Sequence, residues 1–335
     1  MEKQILHIFT RTPLHVGSGA SIGAIDQPIQ RERHTGFPVI PGSSLKGSFA
    51  DAWNLELYEQ DGIKYRRLTS KKENDRDVPD QVSEAAWLFG SNHEKVPFSG
   101  AIQFSEAKLL AFPLRSARGG IAWITCPLIL ARAVRDGVFA CDLLPAEVEN
   151  LKDGEAIFQS GGPLKLEIPG ENNQPPSPAV VLEEYTFTYK RDLPPELGTS
   201  FGAILQKDRV WQAIGDRLVI LSDGMMSNFT KTACEVSQHV RIDDETGTAA
   251  HGALFNQENT PSETLFYSVV NFVPERTAGT KQDERRNAPA AIASFRTRLH
   301  TMGGVCQFGG DASTGLGYCT VELVEAAGQS KEAAV

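Results

Sequence analysis

The chain has 335 residues, 41% apolar and 22% charged, with 33 basic and 42 acidic side chains and a formal net charge of -9. That composition is globular, with length for about two domains or one enlarged by insertions, and it excludes a disordered, collagenous or disulfide-scaffold chain. The longest apolar stretch, residues 121–131, contains Pro127 and stops at Arg132, short of the ~20 residues of a membrane helix. The N-terminus lacks the apolar core of a signal peptide, so a cytoplasmic protein with no membrane partner is expected.

Residues 4–16 alternate as a strand does, and Gly17-Ser18-Gly19 breaks the pattern. Residues 20–37 form a polar loop. Pro41-Gly42-Ser43-Ser44 reads as a turn and helix cap, and Leu45, Phe49 and Trp53 then recur at i, i+4 and i+8 as one apolar helix face. Residues 54–97 are an insertion with a mobile tip around 71–77, ending in the apolar patch Trp87-Leu88-Phe89. Residues 101–113 and 121–127 are expected as strands around a turn at 116–120, with a helix starting over 128–135. The Gly- and Pro-rich region 151–200 reads as loop or a peripheral lobe. Residues 217–221 predict a strand, 224–233 a helix and Glu235–Ile242 a strand turning near 243–247. Leu265–Phe272 predicts a buried strand, 282–302 a helix and 318–324 a closing strand before a frayed ten-residue tail. Strands and helices in this mixture make an α+β chain.

The cysteines, Cys126, Cys141, Cys234, Cys306 and Cys319, never form C-x-x-C. They read as buried small hydrophobes in a reducing compartment rather than as disulfides or a zinc ribbon. Residues 1–76 hold 11 basic and 9 acidic side chains, so most of the negative charge lies further along. A basic face on an acidic chain therefore stays open, and nucleic-acid binding needs no more than that.

Three segments have chemistry to offer. At the helix entry, free N–H groups, Ser44 and Lys46 suit an anion, and Gly42 and Gly47 allow a close backbone; an ordinary serine cap beside a solvated lysine has the same pattern. The glycine-rich loop 309–317 can form a nest around phosphate, or simply a tight connection. It lacks the Gly-Lys-Ser/Thr of a Walker A loop. Asp26, on a polar loop before Arg31 and Arg33, suits a metal ligand or a general base, and equally a loop-shaping carboxylate. His15, beside the first glycine turn, is placed to reach a ligand or to serve as a hydrogen-bonded structural histidine. The histidines show no H-E-x-x-H, and no G-x-S-x-G elbow is present.

Read together, residues 12–19 (Thr-Pro-Leu-His-Val-Gly-Ser-Gly) and 25–47, with Ile25-Asp26-Gln27-Pro28 and Pro41-Gly42-Ser43-Ser44-Leu45-Lys46-Gly47, resemble the signature of RAMP proteins. Within that family they are similar to the backbone subunits of Cmr (type III-B) CRISPR effector complexes. The likeness continues through Leu88-Phe89-Gly90, residues 109–116 and 122–127, Val240-Arg241-Ile242-Asp243, Gly252-Ala253-Leu254-Phe255 and the glycine loop. It weakens over 54–86, 137–178 and the tail. It departs at Asn256-Gln257-Glu258-Asn259, where the family tends to carry aromatic and acidic side chains, and no role is carried over there.

The resemblance implies a modified ferredoxin-like (RRM-like) palm with large insertions, one a β-hairpin thumb. It divides the chain into a discontinuous palm (1–53, 98–136 and 260–325), a fingers-like insertion (54–97), a peripheral lobe completing the palm (137–234), a thumb hairpin (235–258) and a tail (326–335). It implies that copies stack along a guide RNA, present it to target RNA and, with other subunits of the complex, cut the target at regular intervals. Asp26 matches the family's catalytic loop aspartate, and cleavage would need Mg or Mn and no organic cofactor. Ser44, Lys46 and Gly47 would hold guide phosphates, Gly309, Gly310 and Thr314 would add a second contact, and His15 would border the groove. The alternative is a non-catalytic RNA-binding scaffold of the same kind of complex. A nucleotide-binding enzyme built on the glycine loop is a third reading.

Overall fold

A computed structural model describes the chain except residues 20–22, 54–57, 61, 66–67, 141–147, 149, 170–174, 244 and 328–335. Its centre is a mixed sheet. Glu2–Thr10 lies between Leu265–Phe272 and Tyr318–Glu325, antiparallel to both. Leu265–Phe272 pairs on its other side with Ile102–Ser116, and Tyr318–Glu325 with the short Val305–Gln307. The near-continuous apolar run of Leu265–Phe272 fits this position, since the strand is covered on both faces.

Two helices cover this part of the sheet, Gly42–Trp53 after the first strand and Ala288–Thr301 before the last. Leu45, Phe49 and Trp53 are all buried, as their spacing predicts. Phe295 of the second helix meets Phe49 edge-on and stacks on Trp53, both at 5.1 Å between ring centroids. Removing such a ring costs about 3–5 kcal/mol, because a cavity adds to the lost transfer energy. The second helix starts six residues later than expected: Gln282–Glu284 is a 3₁₀ turn, and Asn287 caps the helix by accepting from the Ala290 N–H at 3.0 Å. Pro289 in the first turn suits that start.

Two boundaries near the N-terminus also differ. The first strand ends at Thr10, not at Val16, because the N–H groups of Arg11 and Thr12 both turn to the Tyr318 carbonyl and Pro13 has none to give. The first helix begins at Gly42, so Ser43 and Ser44 sit in its opening turn rather than capping it. A Cβ on Gly42 would lie 2.7 Å from the Phe104 carbonyl oxygen, and the bare backbone is what lets the helix start against that strand.

Ile102–Ser116 is long enough to serve two partners. It leaves Leu265–Phe272 after Ala111 and takes up Gly120–Thr125 from Phe112, with Pro113 at the exchange. Beyond it the sheet continues through Leu218–Ile220, Glu155–Ile157, Tyr185–Arg191, Ser177–Leu182 and Leu166–Ile168. Region 151–200 is therefore not loop alone but supplies four strands to the sheet: Val180, Leu182 and Phe187 are buried, and most of its glycines and prolines fall in the connections. The insertion tip is likewise a hairpin, Leu68–Glu73 with Arg76–Val82. Its turn residues Asn74 and Asp75 have φ of 49° and 62°, the left-handed pair of a type I′ turn.

A second hairpin, Glu235–Ile242 with Ala249–Asn259, lies outside the large sheet. Its turn is fastened by Asp243, whose Oδ1 accepts from the N–H groups of Glu245 and Thr246 at 3.1 and 2.9 Å. Cys126, Cys306 and Cys319 are buried free thiols and Cys234 is a partly buried one; Cys141 and residues 328–335 lie outside the described residues. Among the described residues no helix is long and apolar enough to cross a membrane.

Candidate functional site

After Thr10 the chain leaves the sheet, the described residues of 11–38 run as a loop, and three consecutive residues of the second hairpin fasten that loop. Asn256 holds the segment around Asp26. The Asp26 N–H donates to Asn256 Oδ1 at 2.8 Å, and the Asn256 N–H donates to Asp26 Oδ2 at 2.9 Å. Asn256 Nδ2 donates to the Ala24 carbonyl at 2.9 Å, and the Gln27 N–H to the Asn256 carbonyl at 3.1 Å. Asp26 itself is exposed. Gln257 is buried, bridges Gln27, and donates from Nε2 to Asp311 Oδ2 at 2.7 Å, reaching the glycine loop. Glu258 is buried and ion-paired with Arg31 at 2.5 Å, while its other oxygen accepts from the Ile29 N–H at 3.1 Å.

His15 belongs to the same assembly. It is buried, and its Nδ1 lies 2.7 Å from the Glu258 carbonyl. A carbonyl only accepts, so Nδ1 carries the proton and Nε2 is the acceptor of the neutral ring. The glycine loop packs onto His15 from the other side. The Gly310 N–H donates to the His15 carbonyl at 2.9 Å, and a Cβ on Gly309 would fall 2.1 Å from that oxygen. Both glycines thus meet the protein's own backbone, and the Gly310 N–H is already taken. Thr314 is exposed, with Oγ1 donating to the Asp311 carbonyl at 2.9 Å.

The helix entry forms another site. Lys46 is exposed and lines a cavity of about 430 Å³ with Gly42, Ser43, Phe104 and Arg276. Ser44 is half-buried, and Gly47 faces open space. The structure thus joins Asp26, His15, Gly309, Gly310 and Thr314 through the hairpin, and gathers Ser44, Lys46 and Gly47 on one helix. Asn256, Gln257 and Glu258, which tie the first group together, carry no sequence signal, because their partners lie 54 to 243 positions away.

A divalent cation would find the exposed Asp26 carboxylate as a hard oxygen donor here. Among the described residues no group of three or more His, Cys, Asp or Glu side chains is arranged to hold a metal. Mg²⁺ and Mn²⁺ accept such a setting when water and substrate phosphates complete the shell. The residues therefore fit a cation shared with a phosphate-bearing ligand, not an all-protein cage.

The hairpin has one further property. Val236, Val240, Ile242 and Leu254 are exposed, Leu254 to 67%. Along one face of its second strand, Glu258 is buried, Asn256 clamps Asp26 and Leu254 protrudes, since alternate residues share a face. Leu254 thus protrudes two residues along the strand from the clamp on Asp26.

Comparison with known proteins matches residues 7–320 to the RAMP superfamily. The chain is 32% identical over 328 residues to the CRISPR system Cmr endoribonuclease Cmr4 of Pyrococcus furiosus, covering 97% of both chains. It is 34% identical over 167 residues to the Cms endoribonuclease Csm3 of Enterococcus italicus, which covers 44% of this chain and 72% of that one. The crystal structure of oligomeric Cmr4 from Pyrococcus furiosus superposes with a TM-score of 0.60 at 26% identity, over 97% of this chain and 98% of that one. By the extent of the family match and the full-length relative, this chain belongs to the RAMP superfamily, in its branch of Cmr-type CRISPR subunits.

Proposed function

We propose that this chain is the guide-RNA-binding backbone subunit of a type III-B CRISPR effector complex and an endoribonuclease in the assembled complex. Copies polymerise along the guide beside other subunits, and each copy cuts complementary target RNA. The observation that carries this reading is the exposed Asp26 carboxylate, fastened to the base of a hairpin with an apolar edge. The name of the full-length relative, an endoribonuclease, and the oligomeric crystal form of that protein support it.

The parts take these roles. Glu2–Thr10, Ile102–Ser116, Leu265–Phe272 and Tyr318–Glu325, with the helices Gly42–Trp53 and Ala288–Thr301, run β-α-β-β-α-β in chain order. That is the succession of a ferredoxin-like palm. Residues 54–97 are the fingers-like insertion, 137–234 the lobe that completes the palm, and the hairpin of residues 235–259 the thumb. Its apolar edge displaces a nucleotide of the guide–target duplex, as apolar wedges do elsewhere. Ser44, Lys46 and Gly47 hold guide phosphates at the helix entry, and the glycine loop gives a second contact near Thr314. Gly309 and Gly310 keep that loop thin against His15. Base pairing supplies sequence choice.

Displacement lets a 2′-hydroxyl come into line with its neighbouring phosphorus, and such alignment supplies much of the acceleration of an intramolecular attack. The 2′-hydroxyl gives its proton to water as its oxygen bonds to phosphorus, the P–O5′ bond breaks, and the leaving 5′-oxygen takes a proton from water, so a 2′,3′-cyclic phosphate and a 5′-hydroxyl result. Asp26 Oδ2 is engaged by the Asn256 N–H, which orients Oδ1 toward the reacting groups. A bound Mg²⁺ or Mn²⁺, held by Asp26, would stabilise negative charge at phosphorus. The test is cleavage of guide-complementary RNA by complexes assembled with wild-type or Asp26→Ala protein, with and without Mg²⁺. Regularly spaced cuts that vanish in the variant while target binding persists are expected. Tight binding without cuts from the wild type would leave a scaffold.

A further inference from the structure

Resting on Asp26 as the cleaving carboxylate, we propose that Asn256 is its positioning residue, holding loop and carboxylate in the reactive arrangement. Gly23, Ala24, Asp26 and Gln27 are all exposed, so among the described residues this stretch is held by its bonds to the hairpin rather than by burial. The contact is reciprocal. Each residue's side chain binds the other's backbone N–H, at 2.8 and 2.9 Å, so the rotamer of Asp26 and the path of its backbone are fixed together. The Asn256 amide then uses its other end, donating to the Ala24 carbonyl at 2.9 Å. A primary amide on a short stem meets both needs, since it accepts through oxygen and donates through nitrogen. A carboxylate at 256 would lose the donor and place a second negative charge beside Asp26. An aromatic side chain would lack the paired acceptor and donor.

The chemistry sets the size of the effect. A displacement of ~1 Å in a reacting group costs on the order of 10²-fold in rate. Asn256→Ala removes both side-chain bonds but keeps the backbone bonds of the hairpin to Gln27. Its expected signature is a single-turnover cleavage rate slowed about 10- to 100-fold, with target-RNA affinity unchanged. Asn256→Ser restores a short acceptor, as serine does in such turns though more weakly than asparagine, and should recover part of the rate.

The experiment uses whole complexes assembled with wild-type, Asn256→Ala, Asn256→Ser or Asp26→Ala protein, measuring single-turnover rate and target affinity on each. A slow Asn256→Ala complex with wild-type affinity and partial rescue by serine supports the positioning role. Wild-type rates in Asn256→Ala, with Asp26→Ala inactive, overturn it and leave the Asp26 reading standing. Cleavage by Asp26→Ala would overturn the underlying reading itself. Should the alanine variant fail to assemble, the serine variant decides: a reduced rate at full affinity supports positioning, and an undiminished rate overturns it.

Discussion

His7 and Glu263 are titratable side chains with unpartnered polar atoms in buried surroundings, and they pull stability in opposite directions. Neither ring nitrogen of His7 has a hydrogen-bond partner, and burial holds its pKa down to about 4. The unfolded chain protonates that ring near 6.5, so between pH 6.5 and 4 the unfolded state binds the extra proton. His7 therefore withdraws stability as pH falls through this window, by up to about 1.4 kcal/mol per unit. Glu263, in a left-handed conformation at φ 67°, is half-buried, and its pKa is pushed up to about 7 by burial and by the charge of Asp208. Its folded state binds the extra proton between about 4.5 and 7, so its contribution is present at low pH and lost as pH rises through that range. Because Glu263 is only partly buried and its charge is screened by water, its slope is the shallower. Denaturant midpoints of the isolated chain at pH 5 and 6.5 should thus fall on acidification in the wild type. They should rise in His7→Phe, where the carboxyls of Glu263 and Glu235, both raised by burial, remain, and fall more steeply in Glu263→Gln. A His7→Phe protein as acid-sensitive as the wild type would contradict the assignment.

The hairpin is an element held at its base by one buried charge pair. Glu258 is paired with Arg31, whose other nitrogen donates to the Gly36 and Thr230 carbonyls at 2.8 Å, so loop, hairpin and the helix Asp223–Thr232 meet on one guanidinium. Cys234 beside it stays a thiol, its pKa pushed up to about 11 by burial and the charge of Glu258 against the opposing pull of Arg31. Glu258→Ala leaves the partly buried Arg31 cation without its carboxylate, a loss below the ~3–5 kcal/mol of a fully buried pair, whereas Glu258→Gln keeps an acceptor and loses less. Hydrogen exchange along Glu235–Ile242 should quicken strongly in the first variant and modestly in the second, and equal protection in all three proteins would refute the anchor. This anchor explains what was readable beforehand. Leu265–Phe272 and the Leu45-Phe49-Trp53 face declare themselves by local periodicity, and Asp26 by family resemblance. The strands of 151–200 were hidden because each is short and bracketed by glycine and proline. Asn256 and Glu258 were hidden because their meaning lies in partners more than 220 positions away.

At the scale of the whole molecule, an acidic chain is proposed to coat a polyanion. The net charge of -9 opposes this only weakly, since charges further than a Debye length of ~8–10 Å from the guide are screened in physiological salt. Affinity then depends on local cations that displace counterions condensed on the RNA. Lys46 is exposed at the helix entry in a cavity it shares with Arg276, and on the proposed reading each protomer along the guide would repeat the contact. Salt dependence separates this role from a structural one. Removing a phosphate contact lowers the slope of log K against log salt by about 0.7 per protomer for single-stranded RNA, whereas a packing defect lowers affinity at every salt concentration and leaves the slope alone. Lys46→Ala should therefore bind guide RNA more weakly and with a flatter salt dependence in titrations from low to physiological KCl. Lys71, paired with Glu73 at 3.0 Å on the insertion hairpin, provides the comparison, and Lys71→Ala should leave the slope unchanged. Equal slopes for the Lys46→Ala and wild-type proteins would remove Lys46 from the phosphate contacts, because an unchanged slope means an unchanged number of counterions released.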